Sequence, residues 1–85
     1  MKTFRLRISS PDGDLYNGDA VKIVLRGAEG DLAILAGHIP FATSVMPCEC
    51  RVELPDGTEK KGKTEGGILT AGADCVTLLS STFSW

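Results

Sequence analysis

The chain has 85 residues, of which 42% are hydrophobic and 24% charged, and its formal net charge is -2. This length predicts one domain over residues 1–85 with a core of modest size. The slightly acidic balance gives no basic footprint for nucleic acid, and the opening residues MKTFRLRISS show neither a signal peptide nor an apolar membrane span. We therefore expect a cytosolic protein with no direct membrane insertion and no nucleic-acid partner.

Alternation of apolar and polar residues dominates the chain from its start. Phe4, Leu6 and Ile8 share one face of a run whose other face is polar, which is the pattern of a half-buried strand. Further strands are predicted over residues 21–26, 32–35, 41–46, 48–54, 68–71 and 76–80.

Turn residues separate these runs at short spacing, as in Asn17-Gly18, Pro55-Asp56-Gly57 and Gly66-Gly67. Helical spacing is not sustained anywhere in the sequence. Many short strands with frequent turns predict an all-β fold, an antiparallel sandwich or barrel.

The stretch GTEKKGKT, residues 57–64, matches the letter pattern of a phosphate-binding loop. Such a loop follows a buried strand and opens a helix, whose free N–H groups meet the phosphates. Here a Pro55-Asp56 turn precedes the stretch and Gly66-Gly67 follows it, so no helix is expected. We predict a hairpin in which residues 58–64 return as a lysine-rich edge strand, with no nucleotide bound at Gly57 to Thr64.

The cysteines raise the question of a metal site. His38, Cys48, Cys50 and Cys75 are four ligands of the type that zinc prefers. However, Cys48 and Cys50 fall on the apolar face of an alternating strand, and free cysteine is among the most buried residue types. We predict that Cys48 and Cys50 are small buried thiols with no disulfide between them, and that no metal is bound, with a small metal-binding β module kept as an alternative.

Catalytic constellations are not found in the sequence. His38 is its only histidine, there is no G-x-S-x-G elbow, and no carboxylate pair is placed by anything except a turn. We therefore expect neither an enzyme nor a cofactor.

The stretch GAEGDLAILAGHIP, residues 27–40, frames a short apolar strand with three glycines and a proline. Gly27 and Gly30 would shape an acidic loop, and Gly37-His38 would start a tight reversal. From the residues alone, these are two ordinary turns around a strand.

This stretch, read as G-x-E-G-[DE]-L-x-I-L-x-G-H-x-P, resembles the N-terminal domain of the epsilon subunit of rotary ATP synthases, called delta in mitochondria. The opening pattern F-x-L-x-I-x-[ST]-P-x-G-x-L-[FY]-x-G over residues 4–18 and the GGIL at residues 66–69 agree with it. The resemblance covers essentially the whole chain.

The resemblance implies a flattened sandwich of about ten strands. It also implies a non-catalytic rotor role in a proton-translocating ATP synthase, between the gamma subunit and the ring of c subunits, at the cytoplasmic face of a bacterial membrane. By position, it assigns the c-ring contact to Gly27, Ala28, Glu29, Gly30 and Asp31, with Glu29 and Asp31 as the charged groups, the gamma contact to Ser10 and Thr43, and the turn shapes to Gly37, His38, Pro40, Gly66 and Gly67.

Some features depart from the family pattern. In the family the sandwich is normally followed by a helical hairpin that can inhibit hydrolysis, and since the sequence ends at Trp85 we expect no such hairpin and no such inhibition. Ala36 and Cys48 stand where the family usually has proline and glycine, which leaves open a diverged paralogue with another partner. A lipoyl- or biotinyl-type carrier domain, with Lys60 or Lys61 as the carrier lysine, is a further alternative.

Overall fold

The computed structural model describes residues 2–37 and 40–85, and these form nine β-strands with no helix among them. His38 and Ile39 lie outside the described residues, so the predicted Gly37-His38 reversal is described only up to Gly37. The strands are β1 (Phe4–Ser10), β2 (Gly13–Ala20), β3 (Lys22–Gly27), β4 (Gly30–Leu35), β5 (Phe41–Val45), β6 (Cys48–Glu53), β7 (Glu59–Thr64), β8 (Gly67–Ala71) and β9 (Cys75–Leu79).

The strands form one sheet in the order β2-β1-β9-β8-β5-β3-β6-β7, with β4 paired to β3. A single flat sheet would be only one backbone layer thick, yet the smallest extent of the domain is 19 Å. Packed sheets lie about 10 Å apart, so this thickness requires the sheet to curl over its own inner face. The all-β prediction is confirmed, with nine strands where about ten were expected.

Most strand pairs are antiparallel, as predicted, but β1 and β9 are parallel. Arg5 pairs with Cys75 and Ser9 with Leu79 in the same direction along the chain. Antiparallel neighbours are usually joined by a short turn, whereas strands from the two ends of a chain carry no such constraint. The alternation indicates which face of a strand is buried but not this direction. Strand β2 was not predicted, and Asn17-Gly18, predicted as a turn, lies within it.

The core is the inner face of the curled sheet. In β1 the side chains of Phe4, Leu6 and Ile8 are buried while those of Arg5 and Arg7 are exposed, as the alternation predicts. The other buried apolar residues are Ala20, Ile23, Leu25, Ile34, Val45, Cys50, Val52, Leu69, Ala71, Val76, Leu78 and Phe83. Within the described residues, no helix is long and apolar enough to span a bilayer.

The segment GTEKKGKT forms the predicted hairpin arm. The Asp56 carboxylate accepts hydrogen bonds from the Thr58 amide (2.9 Å) and hydroxyl (2.6 Å), which fixes the turn and lowers the pKa of Asp56. Strand β7 follows at the edge of the sheet and pairs with β6 from Glu59 to Thr64. The buried Thr64 hydroxyl lies 2.7 Å from that of Ser80, so it serves the packing of the sheet.

The chain after β9 ties the two ends of the sheet together. Ser84 exchanges backbone hydrogen bonds with Lys63 of β7 (2.7 and 2.9 Å), while the indole N–H of Trp85 donates to the carbonyl of Leu15 in β2 (3.0 Å). Strand β2 is the first strand of the sheet order and β7 is the last. Closing a sheet in this way covers edges that would otherwise offer unpaired backbone groups.

An aromatic cluster supports this closure. The Phe83 and Trp85 rings meet edge to face with centroids 4.9 Å apart, and the Lys60 ammonium lies 4.5 Å from the Trp85 ring. A β-carbon at Gly62 would come within 2.6 Å of the Phe83 ring, so the glycine leaves room for it. The glycine before Lys63 is therefore explained by packing.

The three cysteines have different environments. Cys50 is buried, Cys48 is half-buried, and Cys75 is exposed at the start of β9. The prediction of buried thiols, made for Cys48 and Cys50, is confirmed for Cys50 and holds in part for Cys48. Cys75 is exposed because it lies opposite the exposed Arg5. Burial, followed by the nearby Cys48, raises the pKa of Cys50 to about 12.

We expect the thiols to react with iodoacetamide in the order Cys75, then Cys48, then Cys50. The thiolate is the reactive form, and Cys50 combines burial with a raised pKa. Tandem mass spectrometry after timed labelling measures the order, since fragmentation separates Cys48 from Cys50 within their shared tryptic peptide. Labelling in denaturant should remove the difference between the thiols. Fast modification of Cys50 in the native protein would contradict its core position.

We expect Phe83→Ala to lower the free energy of unfolding by about 3–5 kcal/mol, because it removes a buried ring and leaves a cavity. The matched control is Phe41→Ala, whose ring is 39% exposed and whose loss should cost less than about 1 kcal/mol. Urea denaturation measures both. Equal effects of the two substitutions would show that the closing segment does not stabilise the sheet.

Candidate functional site

A hairpin with a two-residue loop joins β3 to β4. Gly27 pairs with Gly30 across the strands, so Ala28 and Glu29 form the loop itself, and Asp31 already belongs to β4. Gly30 has a φ of +126°, a backbone conformation that residues other than glycine rarely adopt. We call Gly27, Ala28, Glu29, Gly30 and Asp31 the acidic hairpin.

The base of this hairpin is held by β5. The Ala28 amide donates to the Thr43 hydroxyl (3.4 Å), which in turn donates to the Ser44 carbonyl (3.1 Å). A β-carbon at Gly27 would come within 2.6 Å of Leu32 and 3.3 Å of the Thr43 hydroxyl. The lack of a side chain at Gly27 therefore permits the close approach that fixes the hairpin.

The charges of the hairpin differ in their partners. Asp31 lies opposite Arg26 and forms an ion pair with it at 2.9 Å, and this hydrogen bond raises the pKa of Arg26. Glu29 is exposed at the tip and has no ion pair or hydrogen bond with any residue in 2–37 or 40–85. Within the described part of the chain, the hairpin therefore presents one carboxylate without a partner, that of Glu29.

The two residues assigned to gamma lie in different places. The Ser10 hydroxyl donates to the Gly13 carbonyl (3.1 Å) and accepts from the Asp12 amide (3.2 Å), so it shapes the turn after β1. Thr43 lies on β5 against the acidic hairpin. Strands β9 and β8 stand between β1 and β5, which separates the two strands by roughly 14 Å along the sheet. The structure brings Thr43 to the predicted c-ring residues and does not bring it to Ser10.

An apolar patch lies on the outer face of β8 and β9, beside Ser10. Ile68 and Leu79 are directly opposite each other and are 55% and 52% exposed. Together they form what we call the β8–β9 patch, along a shallow groove of about 450 Å³ that is also lined by Ser9, Ser10, Pro11, Gly66, Gly67, Ser80 and Ser81.

Sequence reasoning missed this patch, although the signal is present. Ile68-Leu69 and Leu78-Leu79 are consecutive apolar residues within strands. Since successive side chains point to opposite faces, each such step places one apolar residue outside when its neighbour is in the core. Leu69 and Leu78 are buried, which leaves Ile68 and Leu79 exposed.

The predicted turn residues are partly described. Gly37 and Gly66 have φ values of +86° and +141°, as turn glycines should, and a side chain at Gly67 would collide with the Leu79 carbonyl oxygen. Pro40 is exposed before β5, and His38 lies outside the described residues. Gly66 and Gly67 thus shape the border of the β8–β9 patch.

The alternative sites find little geometric support. Among the described residues, no three His, Cys, Asp or Glu side chains come together to hold a metal ion, although His38 is not included. Lys60 contacts the rings of Trp85 and Tyr16, and Lys61 lies within the strand β7. Neither lysine stands at the tip of the hairpin, where a carrier lysine would be displayed.

Comparison with known proteins finds relatives that all belong to one family. Residues 3–85 match the family model described as ATP synthase, Delta/Epsilon chain, beta-sandwich domain. The chain is 35% identical over 82 residues to the ATP synthase epsilon chain of Psychrobacter sp. (strain PRwf-1), covering 96% of this chain and 59% of the relative. It is 37% identical over 84 residues to the sodium ion specific ATP synthase epsilon chain of Acetobacterium woodii, covering 99% of this chain and 63% of that relative.

Solved structures show the same fold. A chain of the Euglena gracilis mitochondrial ATP synthase, solved by cryo-EM as OSCP/F1/c-ring in rotational state 1, superposes with a TM-score of 0.90 at 20% identity, over 96% of this chain and 52% of that one. A chain of the Tetrahymena thermophila mitochondrial ATP synthase central stalk/c-ring gives a TM-score of 0.79 at 12% identity, over 98% of this chain and 66% of that one.

The chain spans 59% to 63% of the length of the two bacterial relatives. The curled nine-stranded sheet is the fold that the family description names. The chain belongs to the delta/epsilon chain family of ATP synthases, and residues 3–85 form the beta-sandwich domain of that family.

Proposed function

We propose that this chain is a rotor subunit of a proton-translocating ATP synthase, where it joins the gamma subunit to the c ring. Its family membership and the names of its relatives support this role. The role is mechanical and not catalytic. It places the chain at the cytoplasmic face of a bacterial membrane, held there by its partners.

The observation that carries the proposal is the presence of two different exposed surfaces on either side of β5. The β8–β9 patch pairs two large apolar side chains in register, and such exposed apolar patches mark protein interfaces. The acidic hairpin presents charged side chains and the backbone of a tight loop. One domain with two chemically distinct surfaces fits a coupler between two proteins.

We assign gamma to the β8–β9 patch and the c ring to the acidic hairpin. Ser10 borders the patch and so remains on the gamma side. Thr43 is assigned to the base of the hairpin, because its hydroxyl is engaged by Ala28 and Ser44. In this assignment Thr43 supports the c-ring contact from behind.

Coupling requires that torque applied at one surface reaches the other. The patch on β8 connects to β5 through five paired residues, from Phe41–Val45 to Gly67–Ala71, and Val45 pairs with Gly27 at the base of the hairpin. The Met46 amide also donates to the Arg26 carbonyl (2.9 Å). A continuous hydrogen-bonded path without an intervening loop therefore links the two surfaces.

We expect Ile68→Glu and Leu79→Glu each to weaken binding to purified gamma subunit by about tenfold or more, since truncating or charging a central interface residue typically costs over about 1.4 kcal/mol. The matched control is Leu35→Glu, because Leu35 is similarly exposed (51%) but lies on β4, away from the patch. Binding is measured by isothermal titration calorimetry.

Circular dichroism should show all three variants folded, since substitutions of exposed side chains usually change stability little. If Leu35→Glu weakens binding equally, the β8–β9 patch is not the gamma contact. The whole proposal is tested by adding the chain to an ATP synthase stripped of its own epsilon subunit and measuring proton-coupled ATP synthesis. A chain that binds neither gamma nor the stripped complex is not a rotor subunit.

A further inference from the structure

Strand β4 is paired along one edge only. Its six residues, Gly30–Leu35, pair with β3 in unbroken register, and no other strand of the described residues pairs with β4. The backbone groups on its second edge therefore face away from the sheet. An open edge of this kind is a template on which another chain can add a strand.

The hydrogen bonds of β3 show which backbone groups face this open edge. In an antiparallel pair, opposite residues alternately exchange two hydrogen bonds or none. The Arg26 amide contacts the Cys48 sulfur (3.4 Å) and its carbonyl accepts from the Met46 amide (2.9 Å), so both groups point away from β4. Arg26 and its partner Asp31 are therefore a pair without backbone bonds, and the same alternation applies to Ala33. The N–H and C=O groups of Asp31 and Ala33 thus point outward.

The two strands at the ends of the sheet order are treated differently. Ser84 exchanges two backbone hydrogen bonds with β7, and the Trp85 indole donates to the Leu15 carbonyl of β2. The outward backbone groups of Asp31 and Ala33 have no such partner among the described residues. Strand β4 also contains no lysine, no proline and no bulge, which are common means of protecting an edge.

A groove of about 540 Å³ lies beside the hairpin end of this edge. It is lined by residues 28–31 of the acidic hairpin, by Leu32 of β4, and by Phe41, Ala42 and Thr43 of β5. Leu32 lies opposite the buried Leu25, so its side chain is on the inner face of the sheet. Leu32 is half-buried and Phe41 is exposed. The groove therefore offers an apolar wall to a side chain that enters from a strand added to β4.

We propose that the open edge of β4 and this groove form a docking site for an extended segment of another polypeptide, which joins the sheet as an added antiparallel strand. Only an extended chain repeats donors and acceptors at the spacing of Asp31 and Ala33. A bulky apolar residue of the segment, opposite Leu32, enters the groove. The site is distinct from the β8–β9 patch, and the proposal does not depend on the rotor role.

The charge of the partner follows from the lining of the groove. Its charged lining residues, Glu29 and Asp31, are both acidic. Complementary charge at the border of an interface favours the correct partner and speeds its association. The segment that fits therefore carries a basic residue next to its apolar one.

A second copy of this chain fits the site less well. Antiparallel pairing of two β4 strands centred on Ala33 places Ile34 of the second copy opposite Leu32. The side chain of Ile34 is buried in its own core. It is therefore not free to enter the groove, which a foreign segment fills.

The probe is a capped hexapeptide of threonine, valine, threonine, phenylalanine and two lysines, in that order. In antiparallel register it sets the phenylalanine opposite Leu32 and the first lysine opposite Asp31. The peptide is titrated into the isotope-labelled chain alone and followed by NMR. We expect saturable shifts at the amides of Asp31 and Ala33, together with slower hydrogen exchange there. A peptide of the same composition without the alternation should shift neither amide.

Ala33→Pro removes an outward N–H and leaves the bonds between β3 and β4 intact, and proline is tolerated on an edge strand in this orientation. It should weaken peptide binding by at least about tenfold, because the ring also blocks the incoming carbonyl. The matched control Ala33→Thr keeps the amide and should bind within about twofold of the parent chain.

Phe41→Ala tests the groove without changing β4. It should weaken binding of the phenylalanine peptide by about fivefold and leave binding of a peptide with alanine at that position unchanged, as expected for two side chains in contact. Circular dichroism checks the fold of each variant. If Ala33→Pro does not fold, the two peptides and Phe41→Ala still decide the matter.

Three results would overturn the inference. The first is a peptide that shifts no amide of β4, and the second is equal binding by Ala33→Pro and Ala33→Thr. The third is a parent chain that dimerises through β4 as its concentration rises, since a second copy is then the occupant. Loss of gamma binding in the variants of the β8–β9 patch, with peptide binding unchanged, supports a separate site on β4.

Discussion

The structure depends on one constraint: the described residues contain no helix, so the sheet must cover its own inner face. In the curled arrangement, β3 meets β6 through its first half and β5 only at its last residue, Gly27. Here the sheet passes from one side of the core to the other. Any side chain at this point would press on Leu32 and Thr43, so the close approach depends on glycine.

The same junction explains why the acidic hairpin is well placed for a contact. The path of β3 that turns the sheet also delivers Ala28 and Glu29 to the outside, just past the residue that contacts β5. A loop usually varies in conformation more than the strands beside it. This one is bounded by a backbone pair and supported by the hydroxyl of Thr43. Folding and presentation of the tip therefore share the same contacts.

Much of the fold could be predicted because strand burial has a period of two. The alternation in β1 and β6 placed Leu6, Ile8, Cys50 and Val52 in the core, and the Pro55-Asp56-Gly57 turn showed that the lysine-rich segment returns as a strand. The parallel pairing of β1 and β9 could not be predicted, because it depends on how the whole sheet curls. Local patterns contain no information about that direction.

The candidate site was predicted less completely, for physical reasons. The resemblance to the family points to the acidic hairpin, but it does not distinguish its two carboxylates. The structure does, since Asp31 is paired with Arg26 while Glu29 has no partner among the described residues. The exposure of Ile68 and Leu79 follows from two apolar residues in succession, a signal that alternation rules treat as an irregularity. Thr43 needed the sheet order, because its role comes from a neighbour fifteen positions away in the chain.

The parallel pairing of β1 with β9 has a consequence for how the domain is made. Strand β1 can pair with β2 as soon as the first hairpin leaves the ribosome, but its other edge pairs with β9, which is synthesised much later. Contacts between distant parts of a chain form slowly, and an open strand edge invites association with other chains. Arg5 and Arg7 lie on the exposed face of β1, where charge discourages such association. The exposed Arg5 and Arg7 therefore place charge on a strand whose second edge stays open until β9 has been made.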